Sequence, residues 1–130
     1  MNVRFAGCLL VALLLAASCA TQGRRDYVVS RLYFGLSSPT GRISDADVEK
    51  FVDDVITPRF PDGLTYYNTR GQWRGKDAQL VKEPGAVVEI VHRPDPVSTA
   101  NIEAIIVAYK ERFAQEAVML VEDWPNISFR

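Results

Sequence analysis

The chain has 130 residues, of which 48% are hydrophobic and 24% charged, with 15 Lys and Arg against 16 Asp and Glu. This near-neutral, ordinary globular composition excludes a polybasic nucleic-acid-binding protein, an acidic tail and a largely disordered chain. The length favours a single domain, and the slight negative charge predicts no nucleic-acid partner.

The first twenty residues have the pattern of a targeting segment. Arg4 and the amino terminus supply positive charge, and the apolar run over residues 5–17 is too short for a membrane span of roughly 20 residues. The run ends in small residues followed by Cys19, which resembles a bacterial lipobox, where the cysteine thiol is lipidated and the chain is cut before it. This resemblance predicts a signal peptide over residues 1–18 and a lipidated Cys19 with a tether over residues 19–26.

The lipobox resemblance also implies a location for the protein and makes the membrane its partner through the lipid anchor. Ala20 stands where inner-membrane lipoproteins carry Asp, so the resemblance implies a lipid anchor on the periplasmic face of the outer membrane. The alternative is an ordinary signal peptide cut after Ala20, which would release a soluble periplasmic protein. With Cys8 removed and Cys19 lipidated, the mature chain would have no thiol for a disulfide or a metal.

The first half of the mature chain predicts a strand, a helix and a short strand that ends in a hairpin. Residues 28–36 alternate in polarity as a half-buried strand does, and Ser44 begins a helix that Pro58 ends. A turn at residues 60–63 leads to a strand over 64–68, a hairpin at 69–71 and a return over 72–74. The apolar stripe of the helix consists of Val48, Phe51, Val52, Val55 and Ile56.

The second half predicts a long strand, a helix and a last strand. Residues 80–92 are strand-like, with a bulge or edge exit at Pro84-Gly85. After a stiff connector over 93–96, Ser98 or Thr99 caps a second helix, and a strand over 116–122 precedes a short edge piece at 127–129. The apolar stripe of the second helix consists of Ile102, Ile105, Ile106, Tyr109 and Phe113.

The resulting order β-α-β-β-α-β predicts a ferredoxin-like α+β fold. We expect residues 27–130 to form one domain, with a four-stranded antiparallel sheet in the spatial order 4-1-3-2 and both helices on one face. Three sequence blocks, RLYFGLS at 31–37, FPDGLT with GQWR at 60–74, and YKERFAQEAV at 109–118, resemble a family of small bacterial secreted or lipid-anchored proteins with a domain of unknown function. That resemblance implies envelope placement and brings no activity, cofactor or catalytic residue.

The sheet face that the helices leave open is the predicted functional surface. We expect it to carry the candidate ligand or dimer residues Arg31, Tyr33, Val87, Glu89 and Val91, together with Val29. Arg31 and Glu89 are placed to pair across neighbouring strands. A second copy of the chain would cover the valines, whereas a ligand would meet Arg31 with an anionic group and stack on Tyr33.

An aromatic patch is predicted near the hairpin, where Tyr67, Trp73 and Arg74 could bind a ligand or serve packing. His92 is the single histidine, and we interpret it as a solvated loop residue rather than a general base. Glu116 could act as an acid or base, but no second carboxylate is evidently placed with it. The catalytic residues are therefore unknown, and the sequence predicts no metal and no cofactor.

The predicted function is a non-catalytic binding or assembly module of the bacterial envelope, with a homodimer or another envelope protein as partner. The alternative is a small enzyme that uses the open sheet face as its pocket, which is an analogy at the level of the fold. A catalytic role would require His92 or Glu116 to converge with Arg31, Tyr33 or Arg74 in one concave site.

Overall fold

The computed structural model describes residues 26–74 and 76–130. The predicted signal peptide and Cys19 lie outside the described residues. The α+β domain contains these elements in chain order: β1 (Val28–Gly35), β2 (Ser37–Ser38), β3 (Gly41–Arg42), α1 (Asp45–Phe51) continued by a π-helical turn (Val52–Ile56), β4 (Thr65–Arg74), β5 (Leu80–His92), α2 (Pro96–Phe113) and β6 (Met119–Asp123).

The main sheet has four antiparallel strands in the order β4-β5-β1-β6. This is the predicted ferredoxin-like order, since β1, β4, β5 and β6 are the four long strands in sequence. The long strands β1 and β5 lie at the centre, and their register places Arg31 opposite Glu89 and Tyr33 opposite Val87. Residues that face each other share one side of the sheet, so this register fixes both of its faces.

The hydrophobic core lies between the sheet and the helices. Leu32 and Phe34 of β1 and Val88 and Ile90 of β5 join it from the sheet, as predicted. The helices contribute the buried residues Val48, Phe51, Val52, Ile56, Ile102, Ile105 and Tyr109. Tyr109 stacks on Phe34 with 4.1 Å between ring centroids and meets Phe51 edge to face, so an aromatic cluster joins both helices to β1.

The first helix begins as its sequence predicts and then widens. The Ser44 hydroxyl accepts the N–H of Asp47, and the Asp47 carboxylate accepts the N–H of Ser44, which is a reciprocal capping box. The π-helical turn follows, where the N–H of Thr57 reaches the carbonyl of Val52. The apolar stripe predicts a regular helix and does not reveal the widened turn, because Val52 and Ile56 remain in the core in either case.

The predicted hairpin at residues 69–71 is wrong. β4 runs through it without a break, and Gly71 pairs with Glu83 without the positive φ that such a turn requires. The chain reverses at residues 76–79 instead, where the Asp77 carboxylate accepts the N–H of Gln79 and Ala78 has a φ of 62°. The thirteen residues of β5 give every residue of β4 a partner, so the extended pairing outweighs the local turn signal.

The predicted bulge at Pro84-Gly85 is wrong, because β5 pairs with β4 through both residues. The alternative, an edge exit, is confirmed, because the pairing of β5 with β1 ends at Gly85. The Pro84 carbonyl accepts the N–H of Leu36, so it points away from β4. In an extended strand the nitrogen of a residue points to the same side as its carbonyl, and the missing N–H of Pro84 therefore falls outside the β4–β5 ladder.

Two boundaries in the second half differ from prediction. The cap of α2 is Asp95, whose carboxylate accepts the N–H of Ser98, because Pro96 is well suited to the first helical position. β6 begins at Met119 because Ala114 ends α2 in the left-handed conformation and irregular backbone follows. Residues 127–129 form no strand, and Phe129 instead meets Tyr27 edge to face at 5.8 Å.

Candidate functional site on the open sheet face

The side of the sheet opposite the core, here called the open face, collects side chains from all four strands. The register places Tyr67, Val87, Tyr33 and Met119 in one row that crosses β4, β5, β1 and β6. Arg31 and Glu89 lie in the next row, and Val29 and Val91 in the row beyond it. The structure thus brings the predicted ligand or dimer residues and two of the three predicted aromatic-patch residues, Tyr67 and Trp73, onto one surface.

Arg74 is not part of that surface. It pairs with Leu80, one position after Trp73, so its side chain leaves the opposite side of β4. Tyr66 also faces away from the open face, where its hydroxyl donates to Asn68 Oδ1 at 2.9 Å. Burial is the main cause that raises the pKa of Tyr66.

Arg31 is neutralised by two carboxylates on neighbouring strands. Its Nε donates to Glu89 Oε2 at 2.6 Å, which confirms the predicted pair, and its Nη1 donates to Asp123 Oδ2 at 2.5 Å. The hydrogen bond to Asp123 and then that to Glu89 raise the pKa of Arg31 above its ordinary value. An anionic ligand would therefore have to compete with both carboxylates for this guanidinium.

The apolar residues exposed on the open face are not the expected valines. Val87 is 0% exposed and Val29 is 4% exposed, although no helix covers them. Val87 lies opposite both Tyr33 and Tyr67, and the flanking large rings account for its burial. The exposed apolar surface comes instead from Tyr67, Trp73 and Met119, whose exposed fractions are 42%, 52% and 56%.

A groove of about 720 Å³ lies at one end of the open face, and we call it the glycine groove. Its floor is formed by Gly35, Gly71 and Gly85, which project no side chains from three neighbouring strands. The side chains at its walls include two rings, a thioether, two carboxylates and an amide: Tyr33, Trp73, Met119, Glu83, Glu116 and Gln115.

Two of the floor glycines, Gly85 and Gly35, are packed closely against their neighbours. A Cβ on Gly85 would lie 2.8 Å from the Thr69 hydroxyl and 3.2 Å from the Phe34 carbonyl. A Cβ on Gly35 would lie 3.2 Å from Gln115 Oε1. The depth of the groove therefore depends on the absence of these side chains.

His92 is buried, so its interpretation as a solvated loop residue is wrong. The residue is 8% exposed, and its ring lies near that of Phe60 with 5.5 Å between the centroids. Ser30 Oγ lies 2.8 Å from His92 Nε2 and donates to Glu122 Oε1 at 3.2 Å, while His92 Nδ1 lies 2.8 Å from the carbonyl of Arg93. Both ring nitrogens of His92 therefore have a hydrogen-bond partner inside the protein.

This hydrogen-bonded chain lies on the helix side of the sheet, because Ser30 pairs with Ile90 and Val28 pairs with His92. His92 therefore does not converge with the residues of the open face. Glu116 and Tyr33 do converge, since both line the glycine groove. Within residues 26–74 and 76–130, no group of three or more His, Cys, Asp or Glu side chains is placed to hold a metal ion.

The profile of a protein family described as "Protein of unknown function (DUF3574)" matches residues 29–129. The chain belongs to this family. The match includes both helices of the DUF3574 domain and all four strands of the main sheet, apart from Val28 at the start of β1. No curated protein is significantly similar to the chain in sequence.

Solved structures share the fold of this DUF3574 protein. A phage SAM lyase in complex with S-methyl-5′-thioadenosine has a TM-score of 0.59 at 20% identity, covering 76% of this chain and 81% of the lyase. A phage SAM lyase in the apo state has a TM-score of 0.57 at 22% identity, covering 74% of this chain and 78% of that chain. CutA from Synechococcus elongatus has a TM-score of 0.52 at 5% identity, with 78% of each chain covered. At these identities the likeness confirms the ferredoxin-like fold.

Sequence reasoning missed the glycine groove. Gly35, Gly71 and Gly85 are far apart in the chain, and only the strand register places them side by side. The period-2 pattern of β4 and β5 assigns Gly71 and Gly85 to the face of Tyr67 and Val87, but only when β4 is read as one strand without the hairpin.

Within the described residues, no helix combines the length and apolar character that a membrane crossing needs.

Proposed function

We propose that this protein is a lipid-anchored module of the bacterial envelope that associates with a second copy of itself through the open face. The observation that carries the proposal is the row of Tyr67, Val87, Tyr33 and Met119, which crosses the full width of the sheet. Its two ends, Tyr67 and Met119, are 42% and 56% exposed. Exposed apolar surface of this kind is typical of interaction sites.

The charges of the open face support a protein partner. Arg31 is paired with Glu89 and Asp123, so a partner that covers it would not leave this cation without a countercharge. Large aromatic side chains and methionine are enriched at interface centres, and Tyr67, Trp73 and Met119 are of this kind. A second copy presents the same row, and symmetric self-association is the commonest arrangement among soluble oligomers.

The proposed location is the periplasmic face of the outer membrane, with diacylglyceryl on Cys19 as the anchor. Metabolic labelling with a palmitate analogue tests this part. We expect the full chain to incorporate the label and the Cys19→Ser variant to lose it. Label retained on Cys19→Ser would contradict lipidation, and an unlabelled, soluble periplasmic wild type would support cleavage after Ala20 instead.

Photo-crosslinking of the full chain in the membranes of an expressing bacterium tests self-association. With p-benzoylphenylalanine in place of Tyr67, we expect crosslinked species at multiples of the chain mass. The matched control places the same group at Val107, which is 51% exposed on α2. Crosslinks at Val107 but not Tyr67, crosslinks from Tyr67 only to another protein, or none at either position would overturn the proposal.

A second candidate is a small enzyme that acts in the glycine groove. The observation that favours it is the convergence of Glu116 and Tyr33 in one concave site, which a catalytic role requires. The shared fold with a phage SAM lyase makes S-adenosylmethionine the first compound to test. Formation of S-methyl-5′-thioadenosine that is lost in Glu116→Gln would support this candidate, and no turnover by the wild type would count against this substrate.

A further inference from the structure

We propose that the glycine groove is a binding site for a small organic cation that carries an aromatic or onium group. This inference concerns a ligand at one end of the open face. The groove shares Tyr33, Trp73 and Met119 with the proposed self-association surface, and ligand binding is measured separately from crosslinking. The inference rests on the charge of the groove, on its aromatic walls and on the orientation of one amide.

The groove has negative charges without a countercharge. Glu83 and Glu116 line it, and no Lys, Arg or His is among the described residues of its lining. Glu89 and Asp123, further along the same face, are paired with Arg31. The side chains of Glu83 and Glu116, by contrast, make no ion pair or hydrogen bond within residues 26–74 and 76–130. Two carboxylates beside a concave surface attract a cation and repel an anion.

Gln115 adds an acceptor to the groove. Its Nε2 donates to the Ser37 carbonyl at 2.8 Å and to the Phe113 carbonyl at 3.1 Å, so both amide hydrogens are used. Its Oε1 is directed at the floor, 3.2 Å from the position of a Cβ on Gly35. The amide therefore presents oxygen to a ligand, which favours a positively charged group and disfavours an anion.

The walls fit a cation with apolar surface rather than a metal ion. Trp73 and Tyr33 offer aromatic rings, and a cation over such a ring is attracted by its quadrupole. Met119 offers a polarizable thioether on the same side. The floor of Gly35, Gly71 and Gly85 leaves a groove of about 720 Å³, which is within the range of small-molecule sites.

The probe for the test is benzyltrimethylammonium, with its uncharged carbon isostere neopentylbenzene and the anion benzenesulfonate for comparison. The protein is the full chain in a nonionic detergent, with Trp124→Phe in every variant so that fluorescence reports on Trp73. We expect saturable quenching by benzyltrimethylammonium that weakens as ionic strength rises, and weaker quenching by the isostere and the anion. Equal quenching by the isostere, or stronger quenching by the anion, would overturn the proposal.

Variants locate the site. We expect Glu83→Gln with Glu116→Gln to raise the dissociation constant of benzyltrimethylammonium by about fivefold, since each carboxylate is partly screened by water. The matched control is Glu103→Gln, an exposed glutamate on α2, which should leave binding unchanged. An unchanged dissociation constant in the double variant, or no saturable binding by the wild type, would overturn the proposal. Photo-crosslinking through position 67 in the same double variant measures self-association independently of ligand binding, so that a failure of one proposal is distinguished from a failure of the other.

Discussion

The hydroxyl of Tyr109 on α2 donates a hydrogen bond of 2.8 Å to the backbone carbonyl of Gly35 at the end of β1. Tyr109 is fully buried, and desolvation is the main reason that its pKa is raised above the ordinary value. Gly35 also forms part of the groove floor. One side chain of the core therefore fixes the backbone from which the open face is built.

Removal of that hydroxyl tests the connection. We expect Tyr109→Phe to lower the free energy of unfolding by about 1 kcal/mol, because the Gly35 carbonyl loses its donor while the ring remains in place. Urea denaturation measures the change. The control is Tyr66→Phe, whose hydroxyl bonds the exposed side chain of Asn68 and should matter less. Equal stability of Tyr109→Phe and the wild type would show that water replaces the bond at no cost.

Val87 is buried on the open face whereas Met119 is exposed, so substitutions at these two positions distinguish an effect on folding stability from an effect on self-association. We expect Val87→Asp to lower the free energy of unfolding by at least about 3 kcal/mol, because it places an unpaired carboxylate among buried apolar groups. Met119→Asp in the same row should cost less than about 1 kcal/mol, because that side chain is exposed, and should reduce crosslinking at Tyr67. A Val87→Asp variant as stable as Met119→Asp would contradict the burial.

The hydrogen bonds from His92 through Ser30 to Glu122 join three strands, and their loss should reduce the stability of the fold. We expect Ser30→Ala to lower the free energy of unfolding by about 1–3 kcal/mol, because the ring of the buried His92 then loses the partner of one nitrogen. Denaturation with nitrogen NMR of the imidazole checks both the stability and the altered ring. An unchanged ring spectrum in Ser30→Ala would argue against the Ser30 contact.

Two aspartates at helix starts predict the response to acid. The hydrogen bonds from the Ser98 backbone and side chain lower the pKa of Asp95, and those from the Ser44 side chain and backbone lower the pKa of Asp47. The carboxylates are therefore stabilised in the folded state. Their contribution is fully present above the ordinary Asp pKa of about 3.9 and is lost as the pH falls through the lower folded pKa.

Thermal melting between about pH 6 and pH 2 measures this acid response. We expect the melting temperature to fall more steeply in the wild type than in Asp95→Asn, which keeps a capping oxygen but does not titrate. The matched control is Asp62→Asn, an exposed turn aspartate outside both helices. Parallel pH profiles for the wild type and Asp95→Asn would indicate that Asp95 adds no acid sensitivity.

The strand order is predictable from the β-α-β-β-α-β order of the elements, and both helix stripes are predictable because periodicity reports which residues are buried. The same pattern predicts the two sides of β1 and β5 and the Arg31–Glu89 pair. The predicted turn at residues 69–71 is wrong because the sequence signals a turn locally, whereas these residues pair with β5 residues more than ten positions away. Burial of His92 and Val87 depends on neighbours from other elements, which a linear pattern does not contain.

The register of the sheet leaves part of the β4–β5 hairpin without a third strand. β1 pairs with β5 only as far as Gly85, so the pairs from Gly71–Glu83 to Arg74–Leu80 extend beyond it as a two-stranded ribbon. An isolated ribbon of this kind is marginally stable in water, and its amides should exchange with solvent deuterium well before those of β1. Trp73 stands on this ribbon while Tyr33 stands on the slowly exchanging centre of the sheet, so the two aromatic walls of the glycine groove differ in how often they are released by local unfolding.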